Sequence, residues 1–143
     1  MSMLSSALAA SASGLKAELT RIEVATSNLA NADSTRGPDG GPYRRRDVIL
    51  SPDRVSSFDA AFGRVHATGV RVDEIVEDTA PFKHRYEPSH PDANAGGYVA
   101  LPNVNAAEEM VDLLGAARAY QANLAAVGVI RDVMQSALDL GRG

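Results

Sequence analysis

Three histidines, His66, His84 and His90, are the first residues to test for chemistry. None belongs to an HExxH motif or forms an i, i+4 pair on a helix, the spacing that puts two imidazoles on one metal. A centre built from His84, His90 and Asp92 is conceivable, but exposed loop histidines are the simpler reading. Asp33 and Asp39 lie six apart in "DSTRGPD" without the third- and fifth-position ligands or the closing Glu of a calcium loop. "GPDGGP" is followed by no GK[ST], so it reads as a turn and not a phosphate cradle. Glu108-Glu109 opens a helical stretch, where the helix dipole accounts for two carboxylates. No serine sits in GxSxG. With no cysteine, thiolate catalysis, disulfides and Cys-based zinc sites are excluded. No catalytic constellation, cofactor or metal is expected.

Net charge is −4 and the one basic cluster is Arg44-Arg45-Arg46. Three consecutive arginines on an extended segment point to both faces, so they form no stripe for nucleic acid. They suit a solvated strand start or a polar contact with an acidic partner. No apolar run approaches the ~20 residues of a membrane span, and no transmembrane segment is expected. The N-terminus has neither the basic region nor the unbroken apolar run of a cleaved signal peptide. Composition alone would therefore place the chain in the cytoplasm.

The elements that carry these residues fall into three zones. Residues 1–32 hold eight Ala, six Ser and only four charges, Lys16, Glu18, Arg21 and Glu23. Residues 33–102 hold all seven prolines and 20 of the 32 charged residues. Residues 103–143 return to an Ala- and Leu-rich pattern. In the first zone Leu8, Leu15, Ile22 and Leu29 recur every seven residues, with Ser5, Ala12, Leu19 and Thr26 three positions before them. This reads as an a/d seam on a helix over about 4–32. In the third zone Met110, Leu113, Ala117, Tyr120, Leu124 and Val127 follow 3–4 spacing, continuing through Ile130, Met134 and Leu138. Asn105 reads as an N-cap with Glu108 three residues on, Pro102 discourages earlier helix, and Gly141 supplies a stop. A helix over about 105–139 is expected.

The middle zone reads as short strands, 43–50, 69–76, 81–86 and 97–101, separated by turn clusters. Residues 52–64 sustain neither period and read as a mobile loop. The expected fold is mainly α with a small β part. Its long N- and C-terminal helices pair as an antiparallel coiled coil, and a short β-hairpin or small-sheet region lies between them.

The stretch "SNLANADS", Ser27–Ser34, poses a separate problem. Asn28 and Asn31 lie three apart, hence on one helix face, where a single C-cap would need one amide. Two readings stand. Either both asparagines hydrogen-bond at the helix end and across to the next helix, fixing register, or Asn31 caps the helix and Asn28 is solvated. The sparse charge on both helices argues for burial against further helices, because a solvated face carries more charge.

"SNLANADS", "GPDGGPYRRRDVIL", "GVRVDEIVEDTAPFKHRYEPSHPDANAGGYVALPNVNAAEEMVDLL" and "ARAYQAN" resemble the flagellar axial family of rod and hook subunits, and within it the short proximal-rod subunits. The resemblance covers essentially the whole chain. It implies a structural subunit of the basal-body rod that polymerises with itself and other rod subunits into the periplasm-spanning drive shaft. It also implies passage through the flagellar type III export apparatus without a cleaved signal, which overrules the cytoplasmic placement. The terminal helices would line the inner tube and the middle zone its outer layer. The expected assembly residues are Leu8, Leu15, Leu19, Ile22, Asn28, Leu29 and Asn31 on the first helix, and Met110, Leu113, Tyr120, Gln121, Asn123, Leu124 and Val127 on the second. A soluble coiled-coil adaptor or export-chaperone-like protein is the alternative. It would carry a densely charged outer helix face.

Overall fold

The computed structural model describes residues 3–37, 40–53 and 68–141. In chain order the described elements are α1 (Met3–Ala30), β1 (Arg46–Pro52), β2 (Val70–Glu77), β3 (Lys83–Tyr86), β4 (Tyr98–Leu101) and α2 (Ala106–Leu140). At 1.5 Å per residue the helices are about 42 and 52 Å long. The fold is therefore mainly α with a small β part. β1 pairs with β2 and β3 with β4, in two separate two-stranded antiparallel sheets. Neither described helix is long and apolar enough to cross a membrane.

The boundaries follow from local chemistry. Asn31 turns its side-chain amide back onto the Ser27 carbonyl at 2.8 Å, satisfying an acceptor that the end of α1 would otherwise leave open. α2 begins where expected: the Asn105 side chain accepts the Ala107 N–H at 3.2 Å and its carbonyl accepts the Glu109 N–H at 3.0 Å. Gly141 closes it, its N–H reaching the Ala137 carbonyl at 3.2 Å. β1 starts later than the sequence suggests, at Arg46, because Tyr43 and Arg44 are spent on loop contacts. Residues 54–67, which take in most of the expected loop and His66, lie outside the described residues.

The chain divides into two compact units. One contains Met1–Thr20, Ile49–Glu74 and Gly115–Gly143. Within it a Cβ added to Gly14 would lie 2.9 Å from the Asn123 side-chain oxygen. The Ser13 hydroxyl donates to the Ala10 carbonyl at 2.7 Å and accepts the Val70 N–H at 3.0 Å, fastening α1 to the start of β2.

The other unit contains Arg21–Val48 and Ile75–Leu114. Here β3 and β4 run in register from Lys83↔Leu101 to Tyr86↔Tyr98. Alternation puts Val99 and Leu101 on the buried face and stacks Tyr86 on Tyr98, edge to face at 5.2 Å, on the open one. Gly97 precedes β4 at φ +79°, and a Cβ there would lie 2.8 Å from the Tyr86 ring, so both backbone and space require glycine.

Burial corrects the expected helix seam by one position. On α1 the buried residues are Gly14, Ala17, Ala25 and Asn28, while Leu8, Leu15, Ile22 and Leu29 are only half-buried. Ala12, Leu19 and Thr26 are exposed, and Ser5 is half-buried. On α2 the inward line is Glu109, Leu113, Ala116, Tyr120, Asn123, Val127, Ile130 and Met134, an unbroken 4–3 heptad. Met110 and Leu124, expected inside, are each 53 % exposed. Ala117 is half-buried beside the line. On α1 bulky residues are expected inside, but the line that packs closest is one of small residues; on α2 the expected Leu113, Tyr120 and Val127 do lie on the inward line. The buried hydrophobic residues among those described are Ala17, Ala25, Val99, Leu101, Val104 and Ala116, and half of these are alanine.

Candidate functional site

Asn28, 1 % exposed, sits at a four-way junction near the end of α1. Its Nδ2 donates to the Arg46 carbonyl and to Glu109 Oε2, both at 2.8 Å. Its Oδ1 accepts the Tyr43 hydroxyl and the Arg46 N–H, both at 2.9 Å. An amide side chain offers two donors and two acceptors, and all four are used here. The reading that leaves Asn28 solvated is corrected, and the two asparagines do not share a surface: Asn28 points into the fold while Asn31 folds back on its own helix.

Glu109, also 1 % exposed, comes from the first turns of α2. Its second oxygen takes Arg45 Nε at 2.6 Å. The helix dipole is thus not the reason for this carboxylate, although the exposed Glu108 beside it fits that account. Arg45 is also within 3.4 Å of Asp47 and 3.5 Å of Asp112. Burial pulls the Arg45 pKa down, but the hydrogen bond and charge of Glu109, aided by Asp47, outweigh it and leave it raised. A buried carboxylate with a charged partner and an amide donor avoids the large penalty of an unpaired buried charge.

The other two arginines separate as alternation requires. Arg44 lies over the Phe82 ring at 4.3 Å and reaches the Asp78 carbonyl at 3.2 Å. Arg46 is 5.7 Å from the Tyr43 ring centre and 3.9 Å from Glu77. The acidic partner of the arginine run is therefore the chain itself. Asn103 completes the frame: its oxygen accepts the Arg45 N–H at 2.8 Å, and its amide donates to the Asp78 carbonyl at 3.1 Å.

A second polar node joins the turn after α1 to the loop between β3 and β4. Thr35 donates to Asp92 at 2.8 Å, and Arg36 holds the same carboxylate through Nε at 2.6 Å. The Thr35 hydrogen bond, with Arg36 and His90 adding to it, lowers the Asp92 pKa from its ordinary value of 3.8. His90 Nδ1 accepts the Asp92 N–H at 3.1 Å, so this imidazole serves the loop backbone. His84 is exposed on β3.

The other expected assembly residues divide by face. Leu113, Tyr120, Asn123 and Val127 fall on the inward line of α2, whereas Leu19 (46 % exposed), Met110, Gln121 and Leu124 face outward. Val111, Leu114, Val129, Val133, Leu138 and Leu140 extend the outward apolar surface of α2. Tyr43, Arg45 and Glu109 are the residues sequence reasoning missed. Their partners lie 15 to 81 residues away, beyond the reach of local periodicity. The one available signal was a Glu on an otherwise small and apolar helix line.

Known proteins match both helical ends. Residues 4–38 match the family model described as flagella basal body rod protein, and residues 95–140 the one described as flagellar basal body rod FlgEFG protein C-terminal. The flagellar basal-body rod protein FlgC of Borreliella burgdorferi is 40 % identical, with 98 % of this chain and 99 % of that one aligned. FlgC of Salmonella typhimurium is 45 % identical over 91 % and 92 %. FlgC of Bacillus subtilis is 41 % identical over 92 % and 94 %. Similarity of this extent, across both helices and the segment between them, places the chain in the FlgC family of flagellar basal-body rod proteins.

Proposed function

We propose that the chain polymerises, with itself and with other rod subunits, into the shaft of the flagellar basal body, and that its terminal helices form the contacts. It is a structural subunit and not an enzyme. One observation carries the assembly reading: many large apolar side chains of the helices, Leu19, Met110, Leu114, Leu124, Val129 and Leu138 among them, lie outside, while Ala17, Ala25 and Ala116 lie inside. Exposed apolar surface of this kind marks protein contact. Head-to-tail contacts that do not close generate filaments.

Within the subunit, α1 and α2 pair as an antiparallel coiled coil. Two contacts support this, Gly14 with Asn123 and Asn28 with Glu109. Fourteen residues separate the partners on each helix, in opposite chain directions, which is two heptads. Residues 1–32 and 103–143 then form the helical core of the rod, and 33–102 its outer layer. Leu8, Leu15, Leu19, Ile22, Leu29, Asn31, Met110, Gln121 and Leu124 meet neighbouring subunits. Export runs through the flagellar type III apparatus with no cleaved signal, and the final position is in the periplasm.

Mass spectrometry of detergent-stripped hook–basal-body complexes tests the reading. The chain is expected at a level comparable to the other rod subunits. Its absence there, with abundance in the soluble fraction, would overturn it.

A further inference from the structure

We infer that the Asn28–Glu109 pair, with Arg45 behind it, is a register lock: it selects which heptad of α2 faces which heptad of α1. The inference rests on the antiparallel pairing proposed above.

In the proposed pairing the residue numbers of facing positions sum to 137, the sum given by two contacts, 28 with 109 and 14 with 123. Val24 then faces Leu113, Ala17 faces Tyr120 and Ala10 faces Val127. A slip of one heptad keeps every inward position inward, because both lines repeat at seven. At a sum of 130, Ala17 faces Leu113, Gly14 faces Ala116 and Ala10 faces Tyr120. At a sum of 144, Val24 faces Tyr120 and Ala17 faces Val127. Apart from Val24 with Tyr120, each of these sets a small residue against a large one or another small one. Small residues meet large ones in all three registers, so apolar character alone discriminates weakly among them.

The polar pair does discriminate. At 130, Asn28 would face position 102, before α2 begins, while Glu109 would face Arg21. At 144, Glu109 would face position 35, after α1 has ended, and Asn28 would face Ala116. In both slips Asn28 loses Glu109. The 43–46 segment, which Asn28 holds through Tyr43 and Arg46 and Glu109 holds through Arg45, can no longer serve both helices at once. Asn28 leaves its buried donors and acceptors unpaired in both slips, and Glu109 loses a facing partner as well at 144, so one register stands clear of the others. A single buried polar residue plays the same part in other coiled coils, at some cost in stability.

The absence of native cysteine makes register directly measurable in the full chain. Three double variants report the three registers under mild oxidation: A10C with V127C for the proposed one, A10C with Y120C and A10C with M134C for the slips. In the otherwise unaltered chain the first pair is expected to close in at least roughly tenfold excess over the others, the discrimination that unpaired buried polar groups imply. Failure of the first pair to close there would refute the antiparallel pairing itself. In the N28L/E109L background the excess is expected to fall to about twofold or less, with a slipped pair now closing. An E109Q background, which keeps an acceptor for Asn28, is expected to retain the excess. Undiminished excess in N28L/E109L would overturn the lock. So would closure of no pair in that background, since the polar pair would then be needed for pairing and not for choosing among pairings.

Discussion

The Cα of Gly14 faces the Asn123 side chain so closely that an added methyl carbon would lie 2.9 Å from its Oδ1 and 3.0 Å from its Nδ2. That amide is itself held, donating to the Ala119 carbonyl at 3.0 Å. Gly14 sits in mid-helix, where alanine is favoured by about 1 kcal/mol. In G14A this gain and the displacement of Asn123 nearly cancel, so the change in stability is expected within about 1 kcal/mol of zero. G14V adds two more carbons and a β-branch, and is expected to cost about 2–3 kcal/mol. Urea unfolding of the two variants separates them. Equal stability of G14V and the parent would show that no close helix contact exists there.

Truncating Glu109 and truncating Asp112 test burial against charge. Both carboxylates meet Arg45, but Glu109 is buried and hydrogen-bonded while the Asp112 side chain is half exposed. E109A leaves Asn28 and Arg45 short of a partner and is expected to cost about 3 kcal/mol. D112A is expected to cost less than about 1 kcal/mol. Chemical denaturation measures both, and comparable losses would contradict the assigned roles.

Asp92 sets an acid limit on the contact between the turn after α1 and the β3–β4 loop. Its pKa is lowered in the folded chain, mainly by the Thr35 hydroxyl. A carboxylate with a lowered folded pKa binds fewer protons folded than unfolded. Its contribution is complete above the unfolded value near 3.8 and is lost as pH falls below that, through the folded value. T35V is expected to raise the Asp92 pKa and to move loss of the contact to higher pH. Carboxyl carbon NMR titration of the two proteins reads the shift directly.

Amide exchange distinguishes the two kinds of core. A helix pair that buries alanines gains little apolar area, so both helices are expected to exchange faster than the β3–β4 hairpin in a dilute monomer. Val99 and Leu101, in the buried face of the β3–β4 hairpin, are expected to exchange more slowly. Uniformly slow exchange along α1 and α2 would show that the helices are stable without neighbours.

The sequence makes the elements legible and their facing less so. Heptad spacing, the Asn105 cap and Gly141 define both helices to within two residues, because caps and periods are local. The four strands fall close to their expected places for the same reason. The inward line is displaced because large residues were assumed to seek the interior. Here Leu19, Met110 and Leu124 point out and Gly14, Ala17 and Ala116 point in. The small-residue line was itself periodic and could have been read as a close-approach stripe. The Asn28 junction was half legible: an amide with a purpose was visible, but Tyr43, Arg45 and Glu109 are joined to it only by the fold.

The small-residue line between the helices also inverts the usual pattern of mutational tolerance. An ordinary domain hides its bulky side chains and varies its surface freely. Along α1 most of the hidden positions are filled by the smallest residues, Gly14, Ala17 and Ala25, so almost any change at those positions is an enlargement. Several bulky positions of the helices, Leu19, Met110 and Leu124 among them, lie outside, where exchanging one aliphatic side chain for another leaves the subunit's own fold intact. If those side chains meet neighbours as proposed, each contact can be retuned by itself, like a fitting on a common shaft section.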